Sequence, residues 1–316
     1  MFNTGLRYFA AVAHHGSIRE AADELHIAQS ALSRQIQKLE QDLGLALFDR
    51  HARGVQLTSA GEILLRYTRS SLREVERLRS ELDALKGLQR GTVSIQAIES
   101  LVQHMLPRAI SRFTERYPGI TFDVTIDGSD HVVTAVREGR TDIGLTFYPS
   151  ADREFRTIFK LRQPLVALMS SAHPLARQKK VSLADCMAYP IAVPVRNSGS
   201  RILIDVACKA SGIHLAPVLE TNSVQLMVHF VHVNQGITFL LRLSAWDSLR
   251  TGELVAVPIR DRLVNTATID AIAHASRQLP LAAEEFLRFL QGELQTLQEP
   301  PARMSKKRRA AWEEPT

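Results

Sequence analysis

From Ser59 to Lys86 the chain has no proline and a single glycine, Gly61, near the start. Leu65, Leu72, Val75, Leu78, Leu82 and Leu85 recur through this stretch, separated by Arg69, Arg73, Glu76, Arg77, Arg79 and Glu81. The spacing predicts one long amphipathic helix. Thr58 or Ser59 can open it, and Ser59 with Glu62 has the S-x-x-E form of a capping box. The 58 residues before it make a module too small to cover such a stripe. A second copy of the same helix is the economical cover, so dimerisation is expected, with packing inside the monomer as the alternative. The helix thus divides the chain into a small module before it and a much larger region after it. Gly87 to Gly91, with Arg90, reads as the hinge.

In the small module Leu6, Phe9, Ala10 and Ala13 form one helical stripe. Gly16 ends that helix, and Ser17 with Glu20 opens a second one that runs through Leu25. A third begins near Gln29 and reaches about Leu43. Its apolar side is Leu32, Ile36, Leu39 and Leu43, while Ser30, Ser33, Arg34 and Gln37 fall mostly opposite. The link between helices two and three, HIAQ, is long enough only for a tight turn. Two short helices so joined, the second exposing a polar strip, meet the requirements of a helix-turn-helix; a solvated surface face is the plainer reading. The following LALFDRHARGVQLTSAG places two short apolar-bearing stretches around Arg50, His51, Arg53 and Gly54, which reads as a hairpin wing. Such a wing can lay Arg50 and Arg53 along DNA.

The segment AADELHIAQSALSRQIQKLEQDLGLALFDRHARGVQLTSAGE resembles the DNA-binding signature of the LysR-type transcriptional regulators. The resemblance is dense over residues 3 to 65 and looser to about 292. It implies that helix three is the recognition helix, with Gln29, Ser30, Ser33, Arg34 and Gln37 near DNA and Arg53 in the wing. Ala21, Ala22, Leu25, Leu32, Ile36, Leu39, Leu43, Leu47 and Phe48 would be its core. Ala28 stands where the family frequently has a serine or threonine cap, Ser30 where it frequently has proline, and Leu241 likewise. The expected partners are double-stranded promoter DNA, a second copy of the chain with further assembly to a tetramer, a small-molecule effector and RNA polymerase.

After the hinge the period changes. Strand-like VSIQAI, ITFDVTI and DIGLTF alternate with helical LPRAISRFTERYP and VVTAVREGR, which describes a mostly parallel sheet. A second such set follows, and LVNTATIDAIAHASR returns to the first before a final helix. Two lobes with two crossings resemble the periplasmic-binding-protein fold of LysR-type effector domains. The expected organisation is α/β overall: a winged helix-turn-helix over 1–58, the linker helix and hinge over 59–91, and an effector domain over 92–299. Its first lobe is 92–163 with 268–292, and its second 164–267. Strand ends bring Glu99, Ser100 and Leu101 to one rim of the interlobe cleft, with Gly128 and Ser129 beside them and Phe147 and Tyr148 below. Arg196, Asn197, Ser198, Gly199 and Ser200 come from the second lobe, with Thr221 and Thr238. RNSGS before a helix offers donors to an anion, so a carboxylate is one candidate effector; plain helix capping by Ser198 or Ser200 is the other reading. Glu99 suits an effector amine or hydroxyl better.

Hydrophobic residues at 45% and charged residues at 23% fit two or three folded domains. No apolar run reaches membrane length and the opening residues lack a signal-peptide pattern, so a cytoplasmic protein is expected. The net charge of +6 argues weakly for nucleic acid, because residues 300–316 carry five basic and two acidic groups and thus half the excess. This proline- and charge-rich tail is expected to be disordered. Cys186 and Cys208 suit reduced small residues better than a zinc or redox motif. His14, His15, His229 and His232 lack a third ligand nearby, and no phosphate loop or nucleophile elbow is present, so neither an enzyme, a metal nor a cofactor is expected. A ligand-independent architectural DNA binder is the alternative function.

Overall fold

The computed structural model describes residues 4–51, 54–84, 90–147, 152–233 and 236–296. Helices α1 (Thr4–His15), α2 (Ile18–Glu24) and α3 (Gln29–Leu43) are followed by a hairpin of β1 (Phe48–His51) and β2 (Gly54–Leu57). Gly16 ends α1 at φ +62°, and the Ser17 side chain caps α2 by accepting from the Glu20 amide. Phe9, Val12, Ala21, Ala22, Leu32, Ile36, Leu47 and Phe48 are the buried core, with Leu25 and Leu39 partly buried against it. Leu43 departs from its expected core position: it is 48% exposed, because the last turn of α3 runs past the helices that cover Leu32 and Ile36. Gly54 adopts φ +135°, and a Cβ there would stand 2.5 Å from the Gly16 carbonyl oxygen. Only glycine allows the hairpin to dock on that turn, where Val55 N donates to Gly16 O at 2.8 Å.

Helix α4 (Ser59–Ala84) is the long helix. Thr58 rather than Ser59 caps it, since Thr58 Oγ1 accepts from the Gly61 amide at 3.0 Å and donates to Ala46 O at 2.7 Å. Ser59 is already the first helical residue. Leu64 and Leu65 pack under the helix-turn-helix core, Leu72 and Val75 are half-buried, and Leu78 is 44% exposed. The Leu82 side chain, Leu85 and the hinge residues Gly87 to Gln89 lie outside the described residues, as does the tail 297–316.

Two five-stranded sheets follow. The first has the order β4 (Ile120–Ile126), β3 (Gly91–Ala97), β5 (Ile143–Phe147), β12 (Thr268–His274), β6 (Phe155–Arg162). The second has the order β11 (Leu254–Pro258), β7 (Leu165–Ser170), β10 (Ile237–Leu241), β8 (Ile191–Pro194), β9 (Leu219–Thr221). Each contains two parallel and two antiparallel pairings, so they are mixed rather than mostly parallel. Helices α5 (Met105–Arg116), α6 (Ser129–Arg137) and α11 (Leu281–Thr296) accompany the first sheet. Helices α7 (Leu183–Cys186), α8 (Gly199–Ala210), α9 (Val224–Val233) and α10 (Trp246–Thr251) belong to the second part. The chain crosses between sheets after β6 and returns before β12, and the crossings are tied where Gln163 N donates to Ala267 O at 2.9 Å. Cys186 and Cys208 are free and buried; burial pushes the Cys186 thiol up to about 12 and raises that of Cys208. No described helix is long and apolar enough to cross a membrane.

Candidate DNA-reading face and interlobe cleft

On α3, residues 30, 33, 34 and 37 are spaced i, i+3, i+4, i+7 and share one face. Gln29, Ser30, Arg34 and Gln37 are exposed and Ser33 is half-buried. The one hydrogen bond on this face among the described residues runs from Arg34 Nε to the Ser30 carbonyl, 3.2 Å away. Ala28 gives the helix no side-chain cap, and the Ala31 amide turns back to Ala28 O at 2.9 Å. Arg50 sits on β1 opposite Val55, with its side chain outside the described residues; Arg53 lies outside them altogether. The residue that sets the wing against α3 is one the sequence reading passed over. Glu40 Oε1 accepts from the amides of Leu47 and Phe48 at 2.8 and 3.2 Å. It turns the chain from the recognition helix into β1 through two charge-assisted bonds.

The carboxyl ends of β3, β4 and β5 face those of β8, β9 and β10 across a cleft of about 220 Å³. Glu99, Ser100, Gly128, Ser129, Phe147, Asn197, Ser198, Gly199 and Ser200 line it, joined by Asp127, Asn222 and Val224. Leu101 is instead a fully buried core residue, and Thr238 lies inside the second sheet, paired with Ala192 and Leu168 below the strand ends. Arg196 is exposed and Thr221 is displaced from the lining by its neighbour Asn222. Tyr148 lies outside the described residues.

Three helix N-termini meet this cleft in different states. At α8, Ser198 Oγ accepts from the Arg201 amide at 3.2 Å and pairs with Ser200 Oγ at 3.0 Å, so Ser198 is a helix cap. The amides of Gly199 and Ser200 have no hydrogen bond within the described chain. At α6, the cap position is Gly128, which supplies no side chain, and the amides of Ser129, Asp130 and His131 are likewise unpaired there. These two termini nearly touch: a Cβ on Gly199 would stand 2.7 Å from Phe147 O and 3.5 Å from Ser129 Oγ. At α9 the first turn is filled. Ser223 Oγ takes the Leu226 amide at 3.2 Å, while Glu99, from the other lobe, takes Val224 N at 2.8 Å and Gln225 N at 3.2 Å.

Arg201, in the first turn of α8, is 3% exposed. Burial opposes its charge, yet hydrogen bonds to Asp205 and Glu220, at 2.8 and 3.0 Å, hold its pKa above the usual arginine value. It also donates to Pro194 O, so it braces the strand end rather than reaching the cleft. The histidines are used locally: His15 meets Glu24, His229 meets Gln225 and His232 meets Ser248. Among the described residues no three His, Cys, Asp or Glu side chains gather as a metal site.

Comparison with known proteins agrees with both halves. Residues 4–62 match the bacterial regulatory helix-turn-helix protein model of the lysR family, and residues 86–295 match the LysR substrate binding domain. A RuBisCO operon transcriptional regulator of Allochromatium vinosum is 35% identical over 199 residues, 62% of this chain and 65% of that one, just under two thirds of that relative's length. A probable RuBisCO transcriptional regulator of Cyanophora paradoxa is 31% identical over 255 residues, 79% of each chain. The full-length CbnR structure complexed with its target DNA shares the fold at a TM-score of 0.65 and 21% identity, over 92% of this chain and 98% of that one. With its winged helix-turn-helix, long helix and two-sheet α/β domain, the chain belongs to the LysR family of transcriptional regulators.

Proposed function

We propose that the protein reads a specific duplex DNA sequence with α3 and changes its grip when a small polar effector closes the cleft. The observation that carries the DNA half is the exposed face of Gln29, Ser30, Arg34 and Gln37, whose side chains have little to do within the module. Such donors and acceptors suit base edges, and an uncapped helix start suits a backbone phosphate. Arg50 and Arg53 would extend the contact from the wing. Exposed Leu78 on α4 supports a dimer through the long helix, which sets two recognition helices on two half-sites of an inverted repeat. Tetramer formation and recruitment of RNA polymerase are the later steps of this scheme, in the cytoplasm. The domain limits follow it: 1–58 reads DNA, 59–91 pairs and hinges, and 92–299 senses.

The open amides of α6 and α8, five backbone donors at two helix starts that nearly touch, favour an effector with an acidic group such as a carboxylate. Binding there would shift the population of interlobe arrangements.

The test is genome-wide occupancy of the purified full chain on fragmented DNA at a fixed salt concentration. Sharp sites sharing an inverted repeat are expected, with RuBisCO operons, named for several relatives, the first to inspect. Diffuse occupancy that disappears with modest salt would overturn the reading in favour of an architectural binder.

A further inference from the structure

The three helix starts around the cleft differ in one respect: α6 and α8 keep free amides, whereas α9 is closed by a carboxylate of the chain itself. Glu99 belongs to the 3-10 turn Glu99–Leu101 that follows β3 in the first lobe, and α9 belongs to the second. Its two oxygens each take one amide, Val224 and Gln225, and Ser223 takes the third, so the first turn of α9 has no donor left. The same turn of the first lobe makes two more contacts across the seam. Gln103 hydrogen-bonds Gln225, and the His104 ring stacks on Trp246 with centroids 4.4 Å apart and planes 15° from parallel.

From this arrangement we propose that Glu99 is a tethered anionic ligand: it occupies the α9 seat of the cleft, holds the lobes together there, and restricts the effector to one acidic group, seated at α6 and α8. A carboxylate on a helix start receives the full positive end of the helix dipole in addition to its hydrogen bonds. An effector with acidic groups at both ends would have to evict Glu99 and leave that charge in a cleft that Asp127 also lines. The chain therefore selects against diacids by carrying one of the two acids itself. Asp127 does not compete for α9, because it is held by the Gly128 amide at 2.8 Å and His131 Nδ1 at 2.7 Å. The specificity claim rests on the reading of the cleft as an effector site; the occupancy claim does not.

Chemical rescue tests the two separately. In full-length Glu99→Ala, the unfolding midpoint of the effector domain is expected to fall by about 4 °C. Sodium formate should restore it saturably, relative to sodium chloride at equal ionic strength, because formate can re-enter the vacated seat. Wild type and Glu115→Ala, which removes an exposed carboxylate elsewhere, should show no such gain. Glu99→Gln keeps the side chain's shape, loses its charge, and is expected to be destabilised without formate rescue; it carries the test if the alanine variant fails to fold. An unchanged midpoint in both variants, or formate raising wild type and Glu99→Ala alike, would overturn the tethered ligand. With rescue established, a series from malonate to adipate should stabilise Glu99→Ala at concentrations at least tenfold below those that affect wild type. Equal response of the two proteins to these diacids would remove the selectivity claim while leaving the seat in place.

Discussion

The face of α3 and the interlobe cleft are both polar, but they differ in how far their polar groups are already engaged. On α3 the described side chains that point outward make almost no bonds inside the module. In the cleft, Glu99, Asp127, Ser198 and Ser200 are bonded to the chain, while the first amides of α6 and α8 stay open among the described residues. A surface of unengaged donors gains a partner's bonds outright on binding. A cleft whose groups bind one another exchanges existing bonds for new ones, so its affinity depends on what the lobes lose as well as what the ligand brings. The first arrangement suits a grip and the second a switch.

The contrast breaks most visibly at Glu40, an engaged carboxylate behind the reading face. Glu40→Ala strands the Leu47 and Phe48 amides and should cost the N-terminal module about 1.5–3 kcal/mol. Thermal unfolding followed by N-terminal proteolysis would read this, with the effector domain's transition unmoved. An unaltered module would mean that the wing needs no anchor. Arg34→Ala should leave both transitions in place and weaken operator binding by about 1–3 kcal/mol in a mobility-shift titration. Undiminished affinity in that variant would move the reading face off α3.

In the cleft, the difference between two glycines sharpens the picture. A Cβ at Gly199 meets the Phe147 carbonyl at 2.7 Å, a backbone atom that cannot step aside, whereas one at Gly128 meets nothing within 4 Å. Gly199→Ala should therefore wedge the α6–α8 end open, costing about 1 kcal/mol or more and speeding hydrogen exchange of the flanking amides. Gly128→Ala should do neither. If both behave alike, the lobes do not approach closely at that point in solution.

Much of this was legible in the sequence because periodicity reports on elements that bury one face. The stripe of Leu32 and Ile36, the alternation of β3 to β5 and the helix from Ser59 are all of that kind. The edge strands β6 and β11 escaped it. FRTIFKLR interleaves Arg156, Lys160 and Arg162 with its buried residues, as an edge that resists further pairing does, and reads as surface. The cleft rim was legible where strand ends carry it, at Ser129 and Ser198. It failed at Thr238, two residues down the strand, since the register of β10 against β8 is a tertiary fact. Glu40 left no local signal at all, and Glu99, though expected at the rim, gave no sign of its bonds to α9. Each is a carboxylate in a polar context whose partners are backbone amides, in Glu99's case 125 residues away, and amides have no letter in the sequence.

The smallest expected effect probes the aromatic stack on the seam. His104 is stacked on Trp246, with its Nε2 buried and unpartnered among the described residues. Burial, reinforced by Arg108 and Arg250 against the opposing Asp247, depresses its pKa below the usual 6.5. The neutral ring is thus the form the closed seam accepts. Above pH 6.5 the ring is mostly neutral in folded and unfolded chains alike and its contribution is intact. As pH falls, the unfolded chain takes up the proton first, and the stabilisation is lost as pH passes down through the folded value. Between pH 7.5 and 5.5 the effector domain should lose about 1–2 °C of unfolding midpoint on this account. His104→Phe keeps an aromatic ring against Trp246 and should remove that share of the slope. A slope identical in the two proteins would assign the acid sensitivity to other groups, and the His104 stack would then hold the seam without reporting pH.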